Sequence, residues 1–188
     1  MTRDLFTGQL VHLTAENPQV LAEVSARWNQ DPEYYRLLDS DPARLWSAKK
    51  IQEWLEKDSG GAFPVNVSFA IRTLSGDRLI GFTAFDGIHW TNRDAYVAIG
   101  IGERDFWDRG YGTDAMRIML SYAFRELNLH RVSLTVFEYN PRGIRSYEKC
   151  GFKHEGRIRE FILRDGKRWD MLHMGILRQE WQAANGSN

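Results

Sequence analysis

The chain has 188 residues, 43% of them hydrophobic and 13% aromatic, which is enough material for the core of one domain. Its 25 basic and 25 acidic side chains cancel to a formal net charge of zero, which excludes the basic surplus of a nucleic-acid-binding surface. No apolar run approaches the ~20 residues of a membrane-spanning helix, and Cys150 is the only cysteine, which excludes an internal disulfide and any multi-cysteine metal site. With no signal-peptide pattern at the start, the expectation is a cytoplasmic protein.

In chain order, Leu10 to Leu13 predicts a strand, and Val20, Val24 and Trp28 fall four apart on one face of a following helix. Residues 29–42 are polar, aromatic and interrupted by Pro32 and Pro42, which predicts a loop. A second helix is expected over Ala43 to Lys57, stopped by Ser59-Gly60-Gly61. Three strand-like runs follow, Asn66 to Thr73, Leu79 to Ile88 and Ala95 to Gly102, with separations short enough for antiparallel hairpins. The glycine-rich stretch DRGYGT then opens a helix carrying Ala115, Met119, Tyr122 and Phe124. A strand over Arg131 to Phe137, a helix from Pro141 to Gly151, and strands over Phe152 to Leu163 and Arg168 to Leu177 complete the pattern. An Asp165-Gly166 turn joins the last two.

This order predicts an α+β fold: a mostly antiparallel sheet of about seven strands, about four helices and one strand–helix–strand crossover. A single domain is expected over residues 1–181, with 182–188 as a disordered tail.

The segment from Gly102 to Ala123 is the most informative. A strand runs into a loop with Gly110 and Gly112, and a helix starts at once. The first amides of a helix lack intrahelical partners and sit at the positive end of its dipole. Glycines let an anion approach that backbone, and Arg109 adds a guanidinium suited to phosphate oxygens. On the loop alone, a tight strand-to-helix turn is the better reading. No GK[ST] follows, so it is not a P-loop, and the third glycine of a dinucleotide fingerprint is missing. Likewise Asn140, Pro141 and Gly151 taken singly are ordinary helix-start and helix-stop signals.

In combination these segments point further. WDRGYGTDA from Trp107, LNLHRV from Leu127 and NPRGIRSYEKCGF from Asn140 occur in fixed order. They resemble motifs of the GNAT acetyltransferase superfamily, in the branch of ribosomal-protein-alanine and polyamine N-acetyltransferases. The resemblance is dense from Ile101 to Met174 and thinner over the N-terminal half. Two positions depart from it: Trp107 stands where the wider superfamily prefers Gln or Arg, and Gly143 where the branch carries serine.

The resemblance implies a GNAT fold with an acceptor-side half over 10–65 and an acetyl-CoA-binding half over 66–178. It implies transfer of an acetyl group from acetyl-CoA to a primary amine, such as a protein N-terminus, a polyamine or an aminoglycoside. The diphosphate would rest on the backbone of residues 109–113, among Trp107, Arg109, Gly110, Tyr111, Gly112 and Thr113. Pantetheine would follow Ile99 to Ile101 and bond to Asn140, with Lys149 nearby. Tyr147 would protonate the leaving thiolate. Glu103 stands first among candidate bases, ahead of Asp94, Glu138 and His89. Asp31, Glu33 and Tyr35 would draw in a cationic acceptor. The histidines lack metal-ligand spacing, so no metal is expected. A homodimer is compatible with a mixed sheet that leaves edges unpaired. A non-catalytic CoA-binding module and an enzyme using another acyl-CoA are the alternatives.

Overall fold

The computed structural model describes residues 4–56 and 64–186. Seven strands form one sheet in the order β1-β2-β3-β4-β5-β7-β6. They are β1 (Val11–Thr14), β2 (Val67–Thr73), β3 (Leu79–His89), β4 (Asp94–Ile101), β5 (Arg131–Phe137), β6 (Lys153–Arg164) and β7 (Lys167–Leu177). Every neighbouring pair is antiparallel except β4 and β5. The crossover between those two is α4 (Tyr111–Arg125), as the segment order requires.

Among the described residues six α-helices surround the sheet, where about four were expected. The others are α1 (Pro18–Trp28), α2 (Pro32–Leu38), α3 (Ala48–Leu55), α5 (Pro141–Lys149) and α6 (Arg178–Asn185). Helix α2 replaces the expected loop. Pro32 occupies its first turn, where no amide is missed, and Asp31 caps it by accepting the N–H groups of Glu33 and Tyr34. The proline is a start signal here, not a breaker. Helix α3 begins five residues later than expected, because Ser47 accepts the Lys50 N–H (3.2 Å) and sets the N-terminus there. Lys57 and the Ser59-Gly61 breaker lie outside the described residues. The expected tail is helical through Asn185. Glu180 bonds back to the Leu177 N–H (3.0 Å), and Trp181 packs on Phe124 with Arg125 over its ring.

The core lies on both faces of the sheet. On one, Ala115, Met116, Ile118, Met119, Leu120, Ala123 and Phe124 of α4 are buried against Ile80, Phe85, Val97 and Leu134. Each large side chain of that set contributes about 1.5–3 kcal/mol by leaving water. On the other face, Trp28 and Tyr34 pack on Ala70 and Leu79, with Phe82 and Leu38 beside them. The four-residue stripe expected on α1 is only half realised: Trp28 is buried and Val20 is 39% exposed.

Asp114, in the first turn of α4, locks the chain's start to its middle. Its Oδ2 accepts the backbone N–H groups of Gln9 (2.9 Å), Leu10 (2.8 Å) and Val11 (3.1 Å). Gly8 makes room for it, since a Cβ there would lie 2.3 Å from that oxygen. Asp114→Ala would leave three amides without acceptors. We expect a stability loss of about 3 kcal/mol or more by urea denaturation. The matching fall in Tm is about 6–12 °C. Gly8→Ala should act in the same direction, and a Tm unchanged in both variants would mean that this anchor is dispensable.

Candidate active site

β4 and β5 run side by side at only three residue pairs, Asp94–Arg131, Ala95–Val132 and Tyr96–Ser133. Past that point β4 stays on β3 as far as Ile101, and β5 stays on β7 as far as Phe137, so the two strands part. Gly102 N–H donates to Ile80 O (2.9 Å), and Thr83 Oγ1 donates to Ala98 O (2.9 Å). The even-numbered backbone groups of β4 therefore face β3. Strand alternation turns the N–H and C=O of Val97, Ile99 and Ile101 into the gap. From the gap side, Trp107 Nε1–H reaches Ile101 O at 2.6 Å.

The N-terminus of α4 opens on this gap. Asp108 and Gly110 adopt φ of 56° and 88°, a conformation that favours glycine at the second position. Gly110 is the N-cap and has no side chain to cap with, and the first intrahelical donor is the Asp114 N–H to Gly110 O. The amides of Tyr111, Gly112 and Thr113 are thus the uncapped, positive end of the helix. A Cβ on Gly112 would only touch Ile101 Cγ1 at 3.6 Å, so glycine there keeps the cleft open rather than avoiding a clash. The cleft, of about 180 Å³, is also lined by Arg142, Arg145 and Lys149 of α5. Arg142 stacks on Trp107 with its guanidinium carbon 3.7 Å from the ring centroid, and Arg104 stacks on the same ring at 4.8 Å. Burial holds the Arg142 guanidinium below the usual arginine value. Uncapped amides, three cations and a free strand edge fit the diphosphate and pantetheine arm of a coenzyme A thioester.

Tyr147 and Asn140 close the inner end. Asn140 caps α5 by accepting the Gly143 N–H at Oδ1 (2.9 Å). Its amide lies over Gly143, where a Cβ would come within 2.7 Å of Nδ2. Tyr147 is half-buried against Phe152, and desolvation pushes its phenol up to about 12. Thr113 and Ser146 hydroxyls meet at 2.8 Å and tie α4 to α5. Cys150 donates to the Thr113 carbonyl (3.6 Å), and burial pushes its thiol up to about 11. A second cleft of about 200 Å³ lies beneath α2 and shares Leu37, Leu38, Ile99, Asn140 and Tyr147 with the first.

The sequence model of the acetyltransferase (GNAT) domain matches residues 10–153. The chain belongs to the GNAT acetyltransferase family. It is an N-acetyltransferase that takes its acetyl group from acetyl-CoA. It is 34% identical to the probable N-acetyltransferase YjcK of Bacillus subtilis over 70% of this chain and 69% of that protein. It is 32% identical to the spermidine N(1)-acetyltransferase of Vibrio cholerae over 55% of this chain and 59% of that one. The crystal structure of spermidine N-acetyltransferase from Vibrio cholerae in complex with CoA and spermine superposes with a TM-score of 0.80 at 23% identity, covering 91% of this chain and 97% of that one. Among the described residues, no helix is long and apolar enough to cross a membrane.

In this acetyltransferase the residues named from sequence separate into two groups. Ile99, Ile101, Trp107, Gly110, Gly112, Thr113, Asn140, Tyr147 and Lys149 line one cleft. Tyr111 is at the same helix end but turns its ring onto Phe106 (4.9 Å). Arg109 is exposed and donates to Asp105 O (3.0 Å), away from the cleft; Arg142 holds the place expected of it.

Glu103 is not brought to Tyr147. One of its oxygens accepts Trp28 Nε1–H (3.0 Å), the other pairs with Arg78, and Arg27 stands at 3.8 Å. A carboxylate held this way pins α1 to the end of β4. Asp31 caps α2 and pairs with Arg104, whose hydrogen bond holds its carboxyl below the usual range, and Glu33 pairs with the same guanidinium (2.7 Å). Tyr34 and Tyr35 are both buried, and of the two it is Tyr34 that lines the cleft. Read as a helix from Pro32, the sequence would have placed Tyr34, Leu37 and Leu38 on one face by their three- and four-residue spacing.

Glu103→Gln tests the separation. It should leave kcat within about threefold, because the ~10²-fold or greater loss expected of a missing general base does not apply to a group outside the cleft. A loss of that larger size would return Glu103 to the mechanism.

Proposed function

We propose that acetyl-CoA occupies the cleft between β4, α4 and α5, and that a primary aliphatic amine enters from the second cleft and attacks directly. The observation that carries this reading is the meeting of the two clefts at Ile99, Asn140 and Tyr147. When bound, acetyl-CoA supplies the acetyl thioester: the amine nitrogen bonds to the carbonyl carbon as the carbon–sulfur bond breaks, and sulfur keeps the electron pair.

The chain's residues do the rest. The α4 amides, with Arg142, Arg145 and Lys149, hold the diphosphate end. The inward N–H groups of Ile99 and Ile101 bind the pantetheine arm as an added edge, and one of them polarises the carbonyl where negative charge develops. Asn140 Nδ2 orients the arm while Oδ1 caps α5. Tyr147 delivers its phenolic proton to the departing sulfur, and the N–H proton that the nitrogen sheds as the amide forms restores the phenol. A phenol keeps its proton at neutral pH and burial pushes this one higher, which suits Tyr147 to the role of acid. An alkylammonium with pKa near ~10.4 must first lose a proton. Among the described residues Asp108 and Asp86 are the carboxylates lining the two clefts, and neither is among the residues the clefts share. The amine activities of the Vibrio cholerae relatives support an aliphatic amine as acceptor.

Calorimetry and thiol release together test this reading. Acetyl-CoA should bind, and Tyr147→Phe should cut kcat by ~10²-fold or more with little change in acetyl-CoA affinity. No binding at millimolar acetyl-CoA would end the proposal; binding without thiol release for any amine would leave a sensor.

The pH profile gives an independent check. A group that must stay protonated loses activity as pH rises through its pKa. With Tyr147 at about 12, kcat should not fall as pH climbs through ~10, the ordinary phenol value. A decline centred near ~10 would show that the phenol is not desolvated in the working enzyme.

A further inference from the structure

We propose that Tyr34 is a catalytic residue, its phenol donating a hydrogen bond to the thioester carbonyl oxygen of acetyl-CoA beside the β4 amides. This rests on the acetyl-transfer reading above. Tyr34 comes from α2 and is 4% exposed. It lines the first cleft together with Ile99, Gly100 and Ile101. Its ring stands edge-on to Trp28, with centroids 6.2 Å apart. Its hydroxyl lies against the backbone of β4, since a Cβ on Gly100 would stand 2.9 Å from that oxygen. Glycine at this position is what lets the phenol come so close to the strand. Among the described residues the hydroxyl has no hydrogen-bond partner, and desolvation is the one influence that pushes its pKa up. A buried hydroxyl left without an acceptor is costly, and this one belongs to the wall of the cleft.

Chemistry narrows what the phenol serves. Kept neutral by burial, it is a hydrogen-bond donor and not a base. Donating to the attacking nitrogen would tie up the lone pair that must form the new bond. The phenol therefore serves an oxygen of the acetyl-CoA arm. Gly100 lies between Ile99 and Ile101, whose N–H groups face the gap. Strand residues are about 3.3 Å apart, so the phenol and these amides converge on one short stretch of the edge. Amide oxygens of the arm gain no charge during the reaction. The thioester oxygen does. As nitrogen bonds to the carbonyl carbon, the C=O π pair moves onto oxygen. It returns when the carbon–sulfur bond breaks with its pair on sulfur. A donor fixed there beforehand strengthens as that charge develops. Tyr34 keeps its proton throughout, and the proton that reaches sulfur is still that of Tyr147.

The test uses the full chain and Tyr34→Phe, which keeps the ring on Trp28 and removes only the hydroxyl. Calorimetric affinity for acetyl-CoA should stay within about threefold, which also shows the variant to be folded. Thiol release with hexylamine or spermidine should lose ~10²-fold in kcat, the usual effect of removing one oxyanion donor. Isotope-edited infrared spectra of bound acetyl-CoA read the carbonyl directly and need no acceptor. Its stretch should move to higher frequency in Tyr34→Phe, because losing a donor leaves the bond less polarised. A packing role for Tyr34 would not move that band. Gly100→Ala, which pushes the hydroxyl off the strand, should lower kcat as well but add little to Tyr34→Phe. Lost acetyl-CoA affinity with kcat unchanged would put the phenol on the pantetheine amides, and a raised amine KM alone would put it on the acceptor. Either result, or an unmoved carbonyl band, would overturn the inference while acetyl transfer stands. Failure of the unaltered chain to bind acetyl-CoA, or to release thiol with any amine, would overturn both.

Discussion

Everything that equips this protein for acetyl transfer follows from the point where β4 and β5 cease to pair. A parallel pair joined by a helical crossover requires α4 to pass from the end of β4 back to the start of β5. Once β5 is committed to β7 along its whole length and β4 to β3, the far halves of the two strands have no reason to converge. The divergence leaves backbone amides facing inward, and it aims the N-terminus of α4 at the same space. Two elementary costs, unpaired strand groups and unpaired helix-end amides, thereby come to face one cleft, the one proposed for acetyl-CoA.

The surrounding contacts keep that gap open and oriented. Asp114 holds the entry to β1 against α4, so the uncapped end of that helix cannot drift from the sheet. Trp28 lies flush on Gly102, where a Cβ would come within 2.0 Å of the indole, and its N–H fastens Glu103. Helix α2 is held over both clefts by three ties of different kinds. Asp31 and Glu33 clasp Arg104, Arg36 pairs with Asp165 on the β6–β7 turn (2.9 Å), and Tyr139 donates its hydroxyl to Arg36 O (2.7 Å). Exposed ion pairs are individually weak. Their value here is positional, since they fix Tyr34, Leu37 and Leu38 along the cleft beside the open edge of β4.

Much of the cofactor side was legible because its signals are local. Gly110 at a left-handed N-cap, Gly112 without a side chain, Asn140 before Pro141 and Tyr147 two turns into α5 all act within a few residues of their own position. The surroundings of the acids named for the acceptor side were not legible, for a matching reason. Asp31, Glu33 and Glu103 looked like available acids, but their partners Arg104, Arg78 and Trp28 come from elsewhere in the chain. The charge of a side chain is written in the sequence; whether another residue has already neutralised it is not.

The sequence by itself determined the α+β class, the strand count, the single crossover and the motif-bearing half of the site, because hydrophobic period, turn residues and helix caps are short-range properties. Tertiary structure alone decided that a seven-residue helix, not a loop, covers the gap. It alone decided that Arg142 and not Arg109 lines the cleft, and that Glu103 is engaged by Trp28 and Arg78 outside it. Those outcomes depend on which long side chains reach one another across the sheet. That reach is set by packing and register over tens of residues, which no local pattern encodes.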